Sequence, residues 1–251
     1  FPQDRLSFQN PDGIHTTTES IKLSMTDRVH FAGDPDHTHI PLNALLSETY
    51  AIDQSKRIDM KKASCLSSLR YNKDTSPESL IPGNLECHIG GMTTHFATAD
   101  NQGNVVTITQ TLGGAFGSSV AVGETGIFLN NMTSFFDLDQ QSPNVIGPGK
   151  RVDFVVAPTQ VLTGGDFLLS IGTPGGYGIH QTTVQLLINV LDLGMNLQQA
   201  IEAPRFTCSA GRELTMEERF PLHVRNNLAA RGHELTLTEA WSMGVGGAQA
   251  V

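Results

Sequence analysis

The sequence predicts an α/β (α+β) fold, because strand-like and helix-like hydrophobic periodicities both occur along its 251 residues. Residues 93–111 alternate polar and apolar side chains on either side of a Gly/Asn turn, which is typical of a β-hairpin. Residues 152–157 and 166–171 are short apolar-rich runs that favour buried strands. Residues 179–193 repeat apolar side chains at three- to four-residue spacing, which favours a helix. Strands therefore carry the motifs, and helices flank them.

The composition excludes several classes of function. A hydrophobic content of 39% and a charged content of 16% are ordinary for a globular protein. The formal charge of −9 argues against a nucleic-acid partner, which needs a basic surface. No run approaches the roughly 18 apolar residues of a membrane span. The first five residues, FPQDR, lack the basic and apolar regions of a signal peptide, and the sequence assigns no cell compartment.

The three cysteines are expected to be free thiols. Cys65, Cys87 and Cys208 leave at least one unpaired, and their wide spacing forms no metal-binding motif.

The N-terminal part is predicted to be helical. Ile21, Met25 and Val29 recur at helical spacing within residues 14–31, with the threonines at 16–18 as N-cap candidates. Residues 41–60 predict a second, short helix, and residues 64–91, rich in Ser, Asn, Pro and Gly, predict a linker.

Between the two helices, four potential ligands stand close together. They are Asp34, Asp36, His37 and His39. Imidazole and carboxylate both bind divalent ions, so a metal site is conceivable. We favour a polar turn, because residues 33–36 (GDPD) are strong turn formers.

The segment GGMTTH at residues 90–95 suggests a self-activating nucleophile. A threonine hydroxyl is weakly nucleophilic, and its own α-amine is a suitable base once the preceding peptide bond is broken. Thr93 would attack the carbonyl of Met92, and hydrolysis of the ester would free the amine. Gly90 and Gly91 would permit the unusual backbone that this cleavage requires. The alternative is a plain hairpin that begins with two β-favouring threonines.

Several segments resemble one known family. Residues 93–104 (TTHFATADNQGN), 124–131 (ETGIFLNN) and 172–176 (GTPGG) resemble the small subunit of the γ-glutamyltransferase (γ-glutamyltranspeptidase) family. Residues 27–36 resemble the end of its large subunit, and residues 196–206, which contain APRF, also fit. The resemblance runs in order over nearly the whole chain.

This resemblance implies a four-layer αββα sandwich of the N-terminal-nucleophile hydrolase type. Residues 1–92 would be the C-terminal part of a large-subunit-like region ending in a linker. Residues 93–251 would be the small-subunit-like catalytic region, and both would form one domain. The first residue would fall inside the large subunit and the last before the final strands, so the sandwich is expected to be incomplete in this chain. The implied chemistry needs no cofactor and no metal.

The resemblance also assigns catalytic roles. Thr93 is the nucleophile, and Thr111 stands where the family has a residue that hydrogen-bonds and orients it. Gly175 and Gly176 match the loop whose backbone N–H groups hold the oxyanion, where side chains would cause crowding. The helix that follows, capped by Gly194, would add a partial positive charge there.

The implied substrate-binding positions mostly differ from those of the γ-glutamyl enzymes. They are Gly113, Asn131, Met132, Phe135, Phe154 and Val155. The γ-glutamyl enzymes carry asparagine, glutamine and aspartate at the places of Gly113, Met132 and Phe135, and two serines at the places of Phe154 and Val155. A phenyl ring cannot pair with the substrate's α-ammonium as the aspartate does. Asn131 also begins a glycosylation tripeptide, which we discount beside an active site.

The remaining segments complete the expected fold. Asn196 caps a helix over residues 197–203, a further helix covers 221–231, and a strand covers 234–238. Residues 244–247 are expected to form a loop near the site. His223 and His233 are expected to lie at the surface.

Three functions are compatible with these features. The first is a γ-glutamyltransferase-like amide hydrolase or acyl transferase that cleaves itself between Met92 and Thr93 and acts on glutathione-like compounds. The second is an acylase or small-amide amidohydrolase of the same family that does not recognise the γ-glutamyl α-amino and carboxylate groups. The third is an inactive relative that acts as a binding protein. In the first two, the partners are a small-molecule amide or γ-glutamyl substrate and the two pieces of one precursor.

Overall fold

The computed structural model describes residue 7, residues 9–66 and residues 93–251. The helices are α1 (Pro11–Phe31), α2 (Leu42–Leu45), α3 (Glu48–Ser55), α4 (Gly178–Leu187), α5 (Leu197–Glu202) and α6 (Leu222–Ala230). The strands are β1 (Thr93–Ala99), β2 (Val105–Thr111), β3 (Thr159–Thr163), β4 (Asp166–Gly172), β5 (Phe206–Cys208), β6 (Glu213–Glu217), β7 (Glu234–Thr238) and β8 (Gln249–Ala250). The α+β class is therefore confirmed. Met92, Cys87 and most of the predicted linker lie outside the described residues.

Helix α1 begins earlier than predicted. Its N-cap is Asn10, whose side chain accepts a hydrogen bond from the backbone N–H of Asp12 at 2.9 Å, and Pro11 follows at the first helical position. The predicted N-caps at residues 16–18 are wrong, because these threonines are buried within the helix. The hydroxyl of Thr18 donates to the carbonyl of Ile14 at 2.8 Å.

The turn after α1 is organised by an ion pair. Asp34 is buried and accepts hydrogen bonds from the Arg151 backbone N–H at 2.8 Å and from Arg151 Nη2 at 2.6 Å. A hydrogen bond from the Asp36 N–H completes the turn. These bonds, the Arg151 backbone N–H foremost, lower the pKa of Asp34 to about 2. The carboxylate therefore has structural partners, which supports the turn interpretation over a metal site.

Two other local predictions are corrected. Residues 41–60 contain α2 and α3 rather than one helix, and Ser47 caps the second by accepting from the Tyr50 N–H. Residues 152–157 are not a strand, because the Asp153 N–H donates to the side chain of Asn144 at 2.9 Å instead of joining a ladder. Strand β3 follows at Thr159–Thr163.

The chain divides into two compact units. The first contains the described residues of 1–83 together with 133–153 and 207–237, and includes α1 and α6. The second contains the described residues of 84–132 together with 154–206 and 238–251, and includes β1–β4, β8, α4 and α5.

Three sheets are formed by the described strands, with orders β1-β2, β3-β4-β8 and β5-β6-β7. In the second unit, Leu169 and Ile171 of β4 pack with Leu186 of α4 in a core that is almost fully buried. Helix α4 continues as a π-turn over Ile188–Asp192, and Asn196 caps α5 with a capping box, as its sequence predicts. Among the described residues, no helix combines the length and the apolar content that crossing a bilayer would require.

Candidate active site

The β1–β2 hairpin is confirmed, and its register places the two proposed catalytic threonines opposite each other. Thr93 is the Cα partner of Thr111, and His95 is the partner of Thr109. Opposed residues of an antiparallel pair share a face, so these four side chains lie on one side of the hairpin. That side is the more buried one, with His95 only 3% exposed.

The other side of the hairpin is apolar and exposed. It presents Phe96, Val106 and Ile108, which are 43%, 50% and 37% exposed. The usual pattern of apolar side chains inward and polar side chains outward is thus reversed here. The polar threonine face is the one that the second unit encloses.

His95 connects the strand of the proposed nucleophile to the end of β4. Its Nδ1 lies 2.7 Å from Thr109 Oγ1, and its ring lies directly against Gly172. A Cβ atom at residue 172 would be 2.3 Å from His95 Cε1, so only glycine fits there. Burial lowers the pKa of His95, which favours a neutral imidazole. His95 was not among the predicted site residues, although its two-residue spacing from Thr93 places it on the same face of the predicted strand.

The glycine loop (residues 173–176) follows β4 immediately. Gly175 and Gly176 have φ values of 137° and 54°, which favour glycine over other residues. Their carbonyls accept hydrogen bonds from the N–H groups of Gly178 and Ile179 at 2.9 and 3.0 Å, so the loop leads directly into α4. Within the described part of the chain, neither glycine N–H donates to a backbone carbonyl. Both amides thus remain suited to binding an anion at the start of a helix.

The segment after Thr111 is organised around the half-buried side-chain amide of Asn131. The Gly113 N–H donates to Thr111 Oγ1 at 2.9 Å, and the Gly114 N–H donates to Asn131 Oδ1 at 2.9 Å. Gly113 has a φ of 86°, and a Cβ atom there would be 1.9 Å from Asn131 Oδ1. A side chain at residue 113 would therefore displace the Asn131 amide from its hydrogen bond with Gly114 and would be strained by the positive φ.

The other proposed substrate-binding residues differ in exposure. Met132 and Val155 of the second unit are 4% and 3% exposed, whereas Phe154 is 42% exposed. Phe135 belongs to the first unit and is 8% exposed, and its carbonyl accepts a hydrogen bond from the Asn144 amide at 2.7 Å. Their roles toward a substrate stay predictions.

A buried histidine pair with a glutamate lies in the first unit. Ligand atoms of His15, Glu19 and His233 all lie within 4.8 Å of one another. His15 Nε2 is 2.9 Å from the carbonyl oxygen of Asp59, so this nitrogen carries the hydrogen. His15 Nδ1 then accepts from His233 Nε2 at 2.8 Å. The prediction that His233 lies at the surface is wrong, because it is 3% exposed; His223 is exposed, as predicted.

Lys22 argues against a metal ion at this cluster. Its fully buried ammonium lies 2.9 Å from Glu19 Oε1 and 3.0 Å from the carbonyl of Ser64. The Ser64 N–H and hydroxyl donate to the second oxygen of Glu19. A divalent cation would have to replace these partners beside a positive charge, which is unfavourable at short range. We therefore interpret the cluster as a hydrogen-bonded part of the core.

Comparisons with known proteins are consistent with the geometry of the second unit. The chain is 33% identical to a glutathione hydrolase proenzyme of Escherichia coli K12, over 96% of this chain and 41% of that protein. It is also 33% identical to an acylase ACY 1 proenzyme of Pseudomonas sp. SE83, over 92% of this chain and 38% of that protein. The crystal structure of a cephalosporin acylase from Bacillus halodurans matches with a TM-score of 0.82 at 27% identity, over 97% of this chain and 41% of that one.

The chain thus spans about two fifths of the length of these relatives. These neighbours also bear out the N-terminal-nucleophile hydrolase fold. A model of one family, gamma-glutamyltranspeptidase, matches residues 1–251 without interruption. The chain belongs to the γ-glutamyltranspeptidase family.

Proposed function

We propose that this protein is a γ-glutamyltransferase-like amide hydrolase or acyl transferase that works through an acyl-Thr93 intermediate. One observation carries the proposal. The strand that begins at Thr93 is held against the end of β4 by the contact between His95 and Gly172. The glycine loop starts at the next residue, so a nucleophile and a set of oxyanion donors belong to one packed arrangement.

The first step is cleavage of the chain itself. The Oγ of Thr93 attacks the carbonyl carbon of Met92, the peptide C–N bond breaks, and the acyl group moves from nitrogen to oxygen. Water then hydrolyses this ester, which releases residues 1–92 with a carboxylate and leaves Thr93 with a free α-amine. Related proteins named proenzymes support this step. The cut falls between the large-subunit-like region, which ends at Met92, and the small-subunit-like region, which begins at Thr93.

Turnover uses the amine that the cleavage frees. The α-amine accepts the proton of Thr93 Oγ while the oxygen attacks the substrate's amide carbonyl. The N–H groups of Gly175 and Gly176 stabilise the tetrahedral oxyanion, and Thr111 orients the nucleophile. The protonated amine then gives its proton to the departing amine, and water or an acceptor amine removes the acyl group from Thr93.

A second candidate, an acylase that ignores the γ-glutamyl α-amino and carboxylate groups, is favoured by residue 113. Asn131 occupies the space where a side chain at Gly113 would project, and the φ of 86° disfavours any other residue. An asparagine like that of the γ-glutamyl enzymes would therefore require the Asn131 side chain to move and to give up its hydrogen bond with Gly114. The apolar residues at 132, 135, 154 and 155 also favour the acylase candidate, because they cannot pair with charged α-amino and carboxylate groups. One relative is itself named an acylase.

Intact-mass analysis tests the nucleophile. Wild-type protein should yield two pieces that separate between Met92 and Thr93, and Thr93→Ala should remain one chain. Thr94→Ala, which changes the exposed neighbour, serves as the matched control and should cleave. Cleavage of the Thr93→Ala variant at the same bond would contradict the proposal, as would an uncut wild type that also hydrolyses no amide.

A further inference from the structure

We propose that Arg205 is a positioning residue for the glycine loop and acts on it through the backbone of Gly246. This inference rests on the proposed function and extends it to a residue outside both the nucleophile strand and the glycine loop.

Arg205 follows α5 and is almost fully buried, with 5% of its surface exposed. Its Nε donates to the carbonyl of Val245 at 3.1 Å, and its Nη2 donates to the carbonyl of Gly246 at 3.1 Å. Its Nη1 donates to the carbonyl of Ile201 at 2.5 Å, at the end of α5. The planar guanidinium thus joins a helix end to two successive peptide groups, a geometry that lysine cannot reproduce. The hydroxyl of Thr182 in α4 also donates to the Val245 carbonyl, at 3.0 Å.

Gly246 lies directly against the glycine loop. Its φ is 88°, and a Cβ atom there would be 2.3 Å from Thr173 Oγ1 and 2.9 Å from the Pro174 carbonyl oxygen. A Cβ atom built on Gly175 would be 3.7 Å from the Gly246 Cα. The two backbones are therefore so close that a Cβ atom on either glycine would reach the other segment.

The chain after Gly246 reinforces this contact. It enters β8, where Gln249 pairs with Gly172, the residue before the glycine loop. The segment fixed by Arg205 consequently lies beside the end of β4 and the first three residues of the glycine loop, from Gly172 to Gly175. A shift of Gly246 has to be transmitted to the loop, since packed backbones leave no space to absorb it.

Loss of the Arg205 contacts is expected to weaken stabilisation of the transition state. Oxyanion donors act only when they lie within hydrogen-bond range of the developing charge, and a misplacement of about 1 Å costs about 100-fold in rate. The ground-state substrate depends less on this placement. Loss of the Arg205 contacts should therefore lower kcat more than it raises KM.

The test uses the full chain, with Arg205→Met, Arg205→Lys and Gly246→Ala as variants. Arg212→Met, at an exposed arginine, is the matched control. Each protein is assayed with the anilide that wild type hydrolyses, and rates are expressed per cleaved active site. Affinity is also measured for a boronic acid that carries the same acyl group and forms a tetrahedral adduct with Thr93, and for the free product acid.

We expect Arg205→Met and Gly246→Ala to lower kcat about 10- to 100-fold, with KM changed less than about threefold. Affinity for the boronic acid should fall in parallel, affinity for the product acid should not, and Arg205→Lys should be intermediate. Should Arg205→Met fail to fold, Arg205→Lys and Gly246→Ala test the same contact.

Unchanged kcat and boronic-acid affinity in folded Arg205→Lys and Gly246→Ala would overturn the role of Arg205 while leaving the proposed function intact. A wild type that neither cleaves itself nor hydrolyses an amide would refute the proposed function, and this inference with it.

Discussion

Acidification should destabilise the first unit through His233. Burial, then the charge of Lys22 and the neighbouring His15, lower its pKa from 6.5 to about 4. The unfolded chain takes up this proton near pH 6.5 and the folded chain only near pH 4, so the unfolded state binds more protons between these values. Stability should therefore fall as the pH falls through this window and level off below it. The lowered pKa of His233 corresponds to a loss of about 3 kcal/mol in the free energy of unfolding across this window.

Urea unfolding followed by circular dichroism, at pH values across and above this window, measures the effect. His233→Gln retains an N–H that can donate to His15 Nδ1 but cannot titrate, so the pH dependence should become shallower by the share that His233 contributes. His223→Gln, at an exposed histidine, should retain the wild-type dependence. If His233→Gln and wild type lose the same free energy of unfolding on acidification, His233 is not the source of the loss.

Two further predictions concern the site. Gly172→Ala should destabilise the second unit by about 2 kcal/mol or more, because its Cβ would overlap the His95 ring, whereas Gly147→Ala, whose nearest neighbour is a lysine side chain at 3.7 Å, should change stability little. Equal unfolding free energies for these two variants would contradict the assigned contact. A des-amino glutaryl anilide should be a better substrate than the γ-glutamyl anilide if residue 113 and the apolar positions exclude the α-amino and carboxylate groups. A strong preference for the γ-glutamyl compound in kcat/KM would eliminate the acylase alternative.

The hairpin and most helices could be predicted because their signals are local. Alternation with a Gly/Asn turn specifies β1 and β2, and the N-cap at Asn196 specifies α5. Strand β6 was not predicted, although its five residues, ELTME, alternate polar and apolar side chains, because so short a run is a weak signal by itself. Residues 152–157 look like a strand in sequence but are organised by a side chain, Asn144, that lies nine residues from Asp153.

The sequence could predict only those parts of the candidate site whose residues are close together along the chain. His95 could have been inferred from strand alternation, since it lies two residues beyond Thr93. The conflict between Gly113 and Asn131 depends on two segments that meet in space, and the contacts of Arg205 connect residues about 40 positions apart. The hydrophobic periodicity of a single sequence contains no information on contacts between segments that are distant along the chain.

In the β1–β2 hairpin, the face that carries the proposed nucleophile is turned inward, and the apolar face is left exposed to solvent. Burial of apolar surface alone would favour the opposite orientation. A slip of one residue between β1 and its surroundings would bury Phe96 and turn Thr93 outward, because side chains alternate along a strand. Burying apolar surface would favour that slip. The contact of His95 with Gly172 and its bond to Thr109 oppose it. Selection or design for stability alone would thus favour a register that turns the proposed nucleophile outward, and the observed register would depend on one buried histidine, His95.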